Sequence, residues 1–301
     1  EVVQGVGYPN PNRSHFASMD IWQTGRTSGQ GTGWLGRFFD HQCGGTPDPQ
    51  AAIALGRDAP LALVGEVQKP IAFEDERLFR WKGEDLHPAM AAPYERLVRA
   101  GELPDVDPDS QAAYLMRTSL DAQISSDRIR AAVRRAPGVR YPGGPLAGQL
   151  RLIASMIADE MPTRVYYASL GGFDTHGNQL GSHAGLMRQL GDAVAAFQAD
   201  LQQQGAGDHV MTMVFSEFGR RVAENGSGGT DHGTAAPMFL IGNGVRPGVV
   251  GDHPSLTNLD GGDLRHTLDF RSVYAGIVQD WFQVDPRPIL GTEHPPARLF
   301  S

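Results

Sequence analysis

HVMTMVFSEFGRRVAENGSGGTDHGTAAPMFLIG, His209–Gly242, is the stretch on which the reading of the fold turns. It opens with an apolar run, Val210–Phe215, long enough for one buried strand and too short for a free-standing helix. Ser216, Glu217 and Arg220 stand where the run ends. A polar loop with glycines at 226, 228 and 229 follows, and Asp231-His232-Gly233 come just ahead of a second apolar run, Pro237–Ile241. Two hydrophobic strands with acidic, basic and imidazole groups at their ends are the linear pattern of a parallel sheet whose strand-end loops carry the polar work. The other reading is an ordinary Glu217–Arg220 ion pair with Asp231 as a turn residue.

The same alternation continues outward. Upstream, Val165–Leu170 reads as a strand ending in GGFDTHG (Gly171–Gly177), with a helix over about 183–203 after it. Leu150, Ile153, Ala154 and Ile157 mark an amphipathic helix over 146–159. Downstream, Phe270–Trp281 reads as a last helix. Near the start, Val2-Val3 opens a short strand. A helix over 14–22 follows with Ser14 placed to cap it, and another helix runs from Trp34 to His41. Leu61–Val64 and Ile71–Phe73 are strand-like. A charged, helical pattern predicts an insertion or lid at about 85–140. The whole is predicted to be one α/β domain over 1–301, with helices packed on a mostly parallel central sheet.

Composition narrows the partners. The 301 residues include 40% hydrophobic and 20% charged residues and carry a net charge of -8, which leaves no basic footprint for nucleic acid. A single cysteine, Cys43, excludes an internal disulfide and any multi-cysteine metal site. No run approaches the ~18 apolar residues of a membrane span, and none of these 301 residues is expected to form a signal peptide. The chain opens EVVQGVGYP without Met, so a processed or truncated product lacking an N-terminal segment is expected.

Five residues form the metal-ligand candidates. Asp174 and His176 lie two apart in a glycine-flanked loop, so in an extended segment both point to one side. Asp231 and His232 repeat the combination, and Glu217 stands between the two pairs. Carboxylate with neutral imidazole suits zinc, manganese or iron, whereas calcium and magnesium prefer oxygen alone. His183 is either a further ligand or a helix cap. Asn12, Arg13, Ser14 and His15 cluster at an expected helix N-terminus, which attracts anions. Arg13 or Arg220 can fork onto two oxygens of a phosphate or sulfate. Ser14 is a candidate nucleophile, with a helix cap as its simpler role. The bland reading of each pair is a turn carboxylate beside a surface imidazole.

VVQGVGYPNPNRSHFASMDIWQTG, the GGFDTHGNQ loop and FSEFGRR…GGTDHGTAAPMFLIG together resemble the DUF1501 family, over most of the chain. That family is sulfatase-like and resembles the alkaline phosphatase superfamily at fold level. The resemblance implies a three-layer α/β sandwich, a periplasmic or exported location through a twin-arginine signal, and one or two divalent ions (zinc, manganese or calcium). It implies hydrolysis of small anionic phosphate or sulfate esters, with Asp174, His176 and His232 as ligands, Glu217 where relatives carry an Asp-His pair, and Ser14, Arg13, His15 and Arg220 on the catalytic side. The chain departs from the superfamily in having Pro9 where a formylglycine-type residue would stand, and in lacking a first-strand metal-binding aspartate. The alternative is a non-catalytic binding or assembly protein that keeps an eroded site.

Overall fold

The structure, a computed structural model, describes residues 1–74, 87–90, 92, 93, 96, 125–134 and 137–301. The first strand, β1 (Val2–Gly7), lies inside a five-stranded sheet. It pairs antiparallel with β8 (Ala236–Ile241) and parallel with β9 (Val249–Val250) and β10 (Leu268–Asp269). β5 (Thr212–Val214) closes the sheet by pairing antiparallel with β8. A second sheet of β2 (Ala52–Leu55), β3 (Ile71–Phe73) and β4 (Val165–Tyr167) is parallel throughout. β6 (Arg220–Glu224) and β7 (Thr230–His232) form an antiparallel ribbon.

The fold is therefore mixed α/β, and the expectation of a mostly parallel sheet is corrected where it began. The two strands of His209–Gly242 run antiparallel, because the chain between them reverses direction through the β6–β7 ribbon. Leu61–Val64 is corrected too. Pro60 fixes its own φ at -64°, and its carbonyl accepts from Leu63, so Leu61–Leu63 forms a 3₁₀ turn. The strand expected to reach Leu170 ends at Tyr167. Most of the insertion or lid expected at about 85–140 lies outside the described residues.

Helices lie against these sheets. α1 (His15–Thr24) stops at Gly25, whose φ of 66° is left-handed and whose N–H returns to the Ile21 carbonyl. α2 (Trp34–Gln42), α3 (Pro145–Ala158) and α4 (Gln179–Gln204) match the amphipathic runs, and α5 (Phe270–Gly276) continues into a π-turn, Ile277–Trp281. Ser14 occupies the N-cap position of α1, but its side chain makes no capping hydrogen bond, so that expected role is not realised. β2 shows how the core divides. Ala52 and Ala54 face an aromatic cluster with Trp22, Trp34, Phe270 and Tyr274, while Ile53 and Leu55 face a second cluster with Ile153, Phe197 and Leu201. Alternation along one strand thus serves two apolar cores.

Candidate metal centre

α1 carries the first piece of the site. His15 and Ser18 are three apart and so share a face. The His15 Nδ1 lies 2.5 Å from Glu217 Oε1, and the buried Ser18 hydroxyl donates to the Glu217 carbonyl at 2.7 Å. Tyr8 in turn holds Ser18 at 2.8 Å. The loop after β5 is thereby clamped to the start of α1, although the two are 202 positions apart in the chain.

The second piece is the loop Phe173–Gly177, braced against the β6–β7 ribbon. Arg220 donates through Nη1 to the Thr230 carbonyl at 2.9 Å. Through Nη2 it reaches the Phe173 carbonyl at 3.0 Å and Asp174 Oδ1 at 2.5 Å. Gln179 bridges the Thr175 and Thr230 hydroxyls. Gly229 packs so closely on this loop that a Cβ there would sit 2.3 Å from the His176 carbonyl carbon, which excludes any side chain without a shift.

These pieces bring four nitrogen and oxygen donors together. His15, Asp174 and His232 each present an atom within 4.8 Å of the other two. His176 adds a fourth. Its Nε2 is 2.9 Å from His232 Nε2 and 3.0 Å from Asp174 Oδ1, and His232 Nε2 is 2.9 Å from the same Oδ1. The His15 Nε2 approaches Asp174 Oδ2 at 3.4 Å and, though buried, has no hydrogen-bond partner.

The far side of each ring sets its tautomer. The His232 Nδ1 faces the Arg13 carbonyl at 2.8 Å, the His176 Nδ1 faces Asp231 Oδ1 at 3.3 Å, and the His15 Nδ1 faces Glu217. All three partners are acceptors, so in neutral rings the proton sits on Nδ1 and the lone pair on Nε2. Three imidazole lone pairs then converge on a carboxylate whose charge Arg220 already meets at 2.5 Å, and a divalent ion among them would satisfy the three nitrogens. Ligands of a tetrahedral ion with bonds near 2.0 Å lie about 3.3 Å apart, and the Asp174 carboxylate lies 2.9 to 3.4 Å from each of the three Nε2 atoms. This His-Asp-His group, with His176 beside it, can hold a metal ion. The donor chemistry fits one.

Charge supports the arrangement. Burial pushes the Asp174 carboxyl up, but the Arg220 guanidinium that donates to it outweighs this and holds the group well below the usual carboxylate range. Asp231 is held low by the Asn225 amide first and by His176 second. Both groups are anionic near neutrality.

Of the residues singled out in the sequence, Asp174, His176 and His232 meet directly. Glu217 and Asp231 stand behind His15 and His176 as acceptors, and both Glu217 oxygens are occupied, by His15 and by the Ser216 hydroxyl. Arg220 pairs with Asp174, and the ordinary Glu217–Arg220 pair is not formed. His15, expected with the anion-binding group, enters the cluster. Ser14 is exposed beside it. Arg13 sends its carbonyl to His232 and its side chain to Asp263. His183 is not the cap of α4, which begins after Asn178, and its ring stands 6.0 Å from Phe173. Reading the sequence missed Asn225, which donates to both the His176 carbonyl and Asp231 at 2.9 and 3.1 Å. Its place in the turn Asn225-Gly226 was the available signal. A separate depression lined by Gln279, Asp285, Arg287 and His294 shares no residue with the cluster. Among the described residues no helix is long and apolar enough to cross a membrane.

The family model described as "Protein of unknown function (DUF1501)" matches residues 2–286, and the chain belongs to that family. No curated protein matches, and neither does any solved structure.

Proposed function

We propose that this DUF1501 member is a metal-dependent hydrolase of phosphate or sulfate esters. The observation that carries the reading is the convergence of the His15, His176 and His232 Nε2 atoms on the Asp174 carboxylate, with an acceptor behind every ring. Asp174, His176, His232 and His15 would hold the ion, and Glu217, Asp231 and the Arg13 carbonyl would orient the rings. Three nitrogens and a carboxylate suit zinc or manganese better than calcium. A divalent ion supplies positive charge that neutralises ester oxygens and polarises the bond to be cut.

The chain's own groups take the remaining roles. Ser14, between Arg13 and His15, is the candidate nucleophile. Arg220 fixes Asp174 by charge and hydrogen bonding, so the carboxylate keeps its position when a ligand arrives. The reading includes a three-layer sandwich of the alkaline phosphatase kind, for which the two cores on opposite faces of β2 give support. A periplasmic or exported setting belongs to the same proposal, by family likeness.

The test is turnover of para-nitrophenyl phosphate, bis(para-nitrophenyl) phosphate and para-nitrophenyl sulfate by chain loaded with zinc or manganese. Chromophore release that disappears in Asp174→Asn and falls sharply in Ser14→Ala is expected. Full metal loading with no release from any ester would overturn the hydrolase and leave the non-catalytic binding protein. The exposed Ser14 hydroxyl, with no base bonded to it, is the feature that second reading rests on.

A further inference from the structure

We infer that Arg13 is the residue that grips the anionic oxygens of the ligand, and that Asp263 together with Arg221 sets its position. This rests on the hydrolase reading and assigns its specificity to one of two arginines that the sequence leaves equivalent. The two differ in what their guanidinium groups already hold. Arg220 is 19% exposed at its side chain, and it is committed to Asp174 and to two carbonyls at 2.5 to 3.0 Å. Its charge is matched by the carboxylate it touches.

Arg13 is 48% exposed, and its one ion pair among the described residues is a single 3.4 Å approach of Nη1 to Asp263 Oδ2. A guanidinium has five N–H donors in a planar fork, so most of this one's capacity faces outward. Asp263 is itself built in. It is only 7% exposed, and its backbone exchanges hydrogen bonds with Asp260 at 2.9 and 3.0 Å. Its other oxygen takes Arg221 Nε at 3.2 Å, while Arg221 Nη2 donates to the Gly261 carbonyl at 2.8 Å.

One carboxylate is thus shared by two guanidinium groups, and the unit carries one surplus positive charge. Arg13 is also tied to the cluster through its main chain, because its carbonyl receives the His232 Nδ1 proton at 2.8 Å. The side chain with donors to spare therefore starts directly behind a ring of the candidate metal centre. An open guanidinium fork on a residue whose main chain touches the cluster matches a tetrahedral oxyanion that offers at least two free oxygens. Phosphate and sulfate groups have that shape, and a planar carboxylate offers no oxygens beyond the pair a fork would take.

The experiment is calorimetric titration of inorganic phosphate, and separately of sulfate, into zinc-loaded chain, with zinc stoichiometry measured for each variant. Arg13→Ala is expected to weaken phosphate binding at least tenfold with zinc content unchanged. Arg13→Lys should recover only part of the loss, since an ammonium cannot fork. Asp263→Asn should weaken binding by a smaller factor, because Arg13 keeps its charge and loses its anchor, and Asp263→Glu should recover much of it. Thermal unfolding of each variant separates a folding defect from a binding one. Phosphate bound by zinc-loaded Arg13→Ala as tightly as by the unaltered chain overturns this assignment alone. An unaltered chain that takes up no zinc overturns the hydrolase reading, and this assignment with it.

Discussion

The two ends of α1 lie in opposite environments. Near its C-terminus Trp22 is 1% exposed, stacked on Phe270 at 4.4 Å and on Phe215 at 5.7 Å, with Tyr274 at its edge. At its first turn His15 enters a cluster whose Asp174 side chain is 49% exposed, and whose principal apolar neighbour is Phe218. The first end is held by burial, which is large and non-directional. The second is held by directed hydrogen bonds and charge, which fix geometry and contribute little net stability in water. One ten-residue helix thus links a rigid aromatic core to a solvent-exposed group of candidate ligands. Stability and metal affinity should therefore separate by which end is altered.

Asp174→Ala is expected to have the largest effect, abolishing metal uptake in a zinc titration while shifting the urea midpoint of the metal-free chain only slightly. A comparable loss of folding stability would erase the distinction between the two ends. Trp22→Ala comes next, costing about 3–5 kcal/mol in urea unfolding, as truncation of a buried aromatic does. At low temperature, where the variant stays folded, zinc should still bind.

Asp231→Asn and Glu217→Gln sharpen the comparison from the site's side. Each weakens the acceptor behind a ring without touching the lone-pair side, and metal affinity should fall roughly 10- to 100-fold. Competition with a chromogenic chelator measures this. An unchanged affinity would show that the carboxylates do not orient their rings.

The smallest effect belongs to the core end, at Asp269, the N-cap of α5. Burial pushes its carboxyl up, but three bonds from Arg271 outweigh this, so its value in the folded chain lies below the ordinary one. A carboxyl depressed on folding adds stability that is fully present above its unfolded value of about 3.9 and is lost as pH falls through the folded value. Asp269→Ala should cost about 1 kcal/mol near neutrality, as loss of an N-cap does. It should also leave the metal-free chain less sensitive to pH below about 4, as read by urea unfolding across pH.

Much of the site was legible where its residues are near neighbours. Asp174 and His176 were paired from their spacing, and His232 was marked by its place ahead of β8. The position of His15 was not, because nothing local to Ser14-His15-Phe16 states that Glu217 will meet it. That contact follows from where β1 and β5 lie in one sheet. β2 carries little signal in the sequence because AIAL has weak strand-forming character, and its identity comes from burial on both faces. The β6–β7 ribbon was read as loop because its residues are polar, and its pairing is secured by Arg220 and Asn225 and by no apolar face. The antiparallel entry of β8 is likewise a matter of topology, to which hydrophobic runs are blind.

The most direct measurement is an anomalous-scattering map from crystals of the chain grown with zinc. One peak is expected at about 2.0–2.2 Å from Nε2 atoms of His15 and His232 and from an Asp174 oxygen, with His176 facing the same ion and every Nδ1 still held by its acceptor. Zinc bound elsewhere, or these rings turned apart around ordered water with no ion among them, would contradict a shared metal centre.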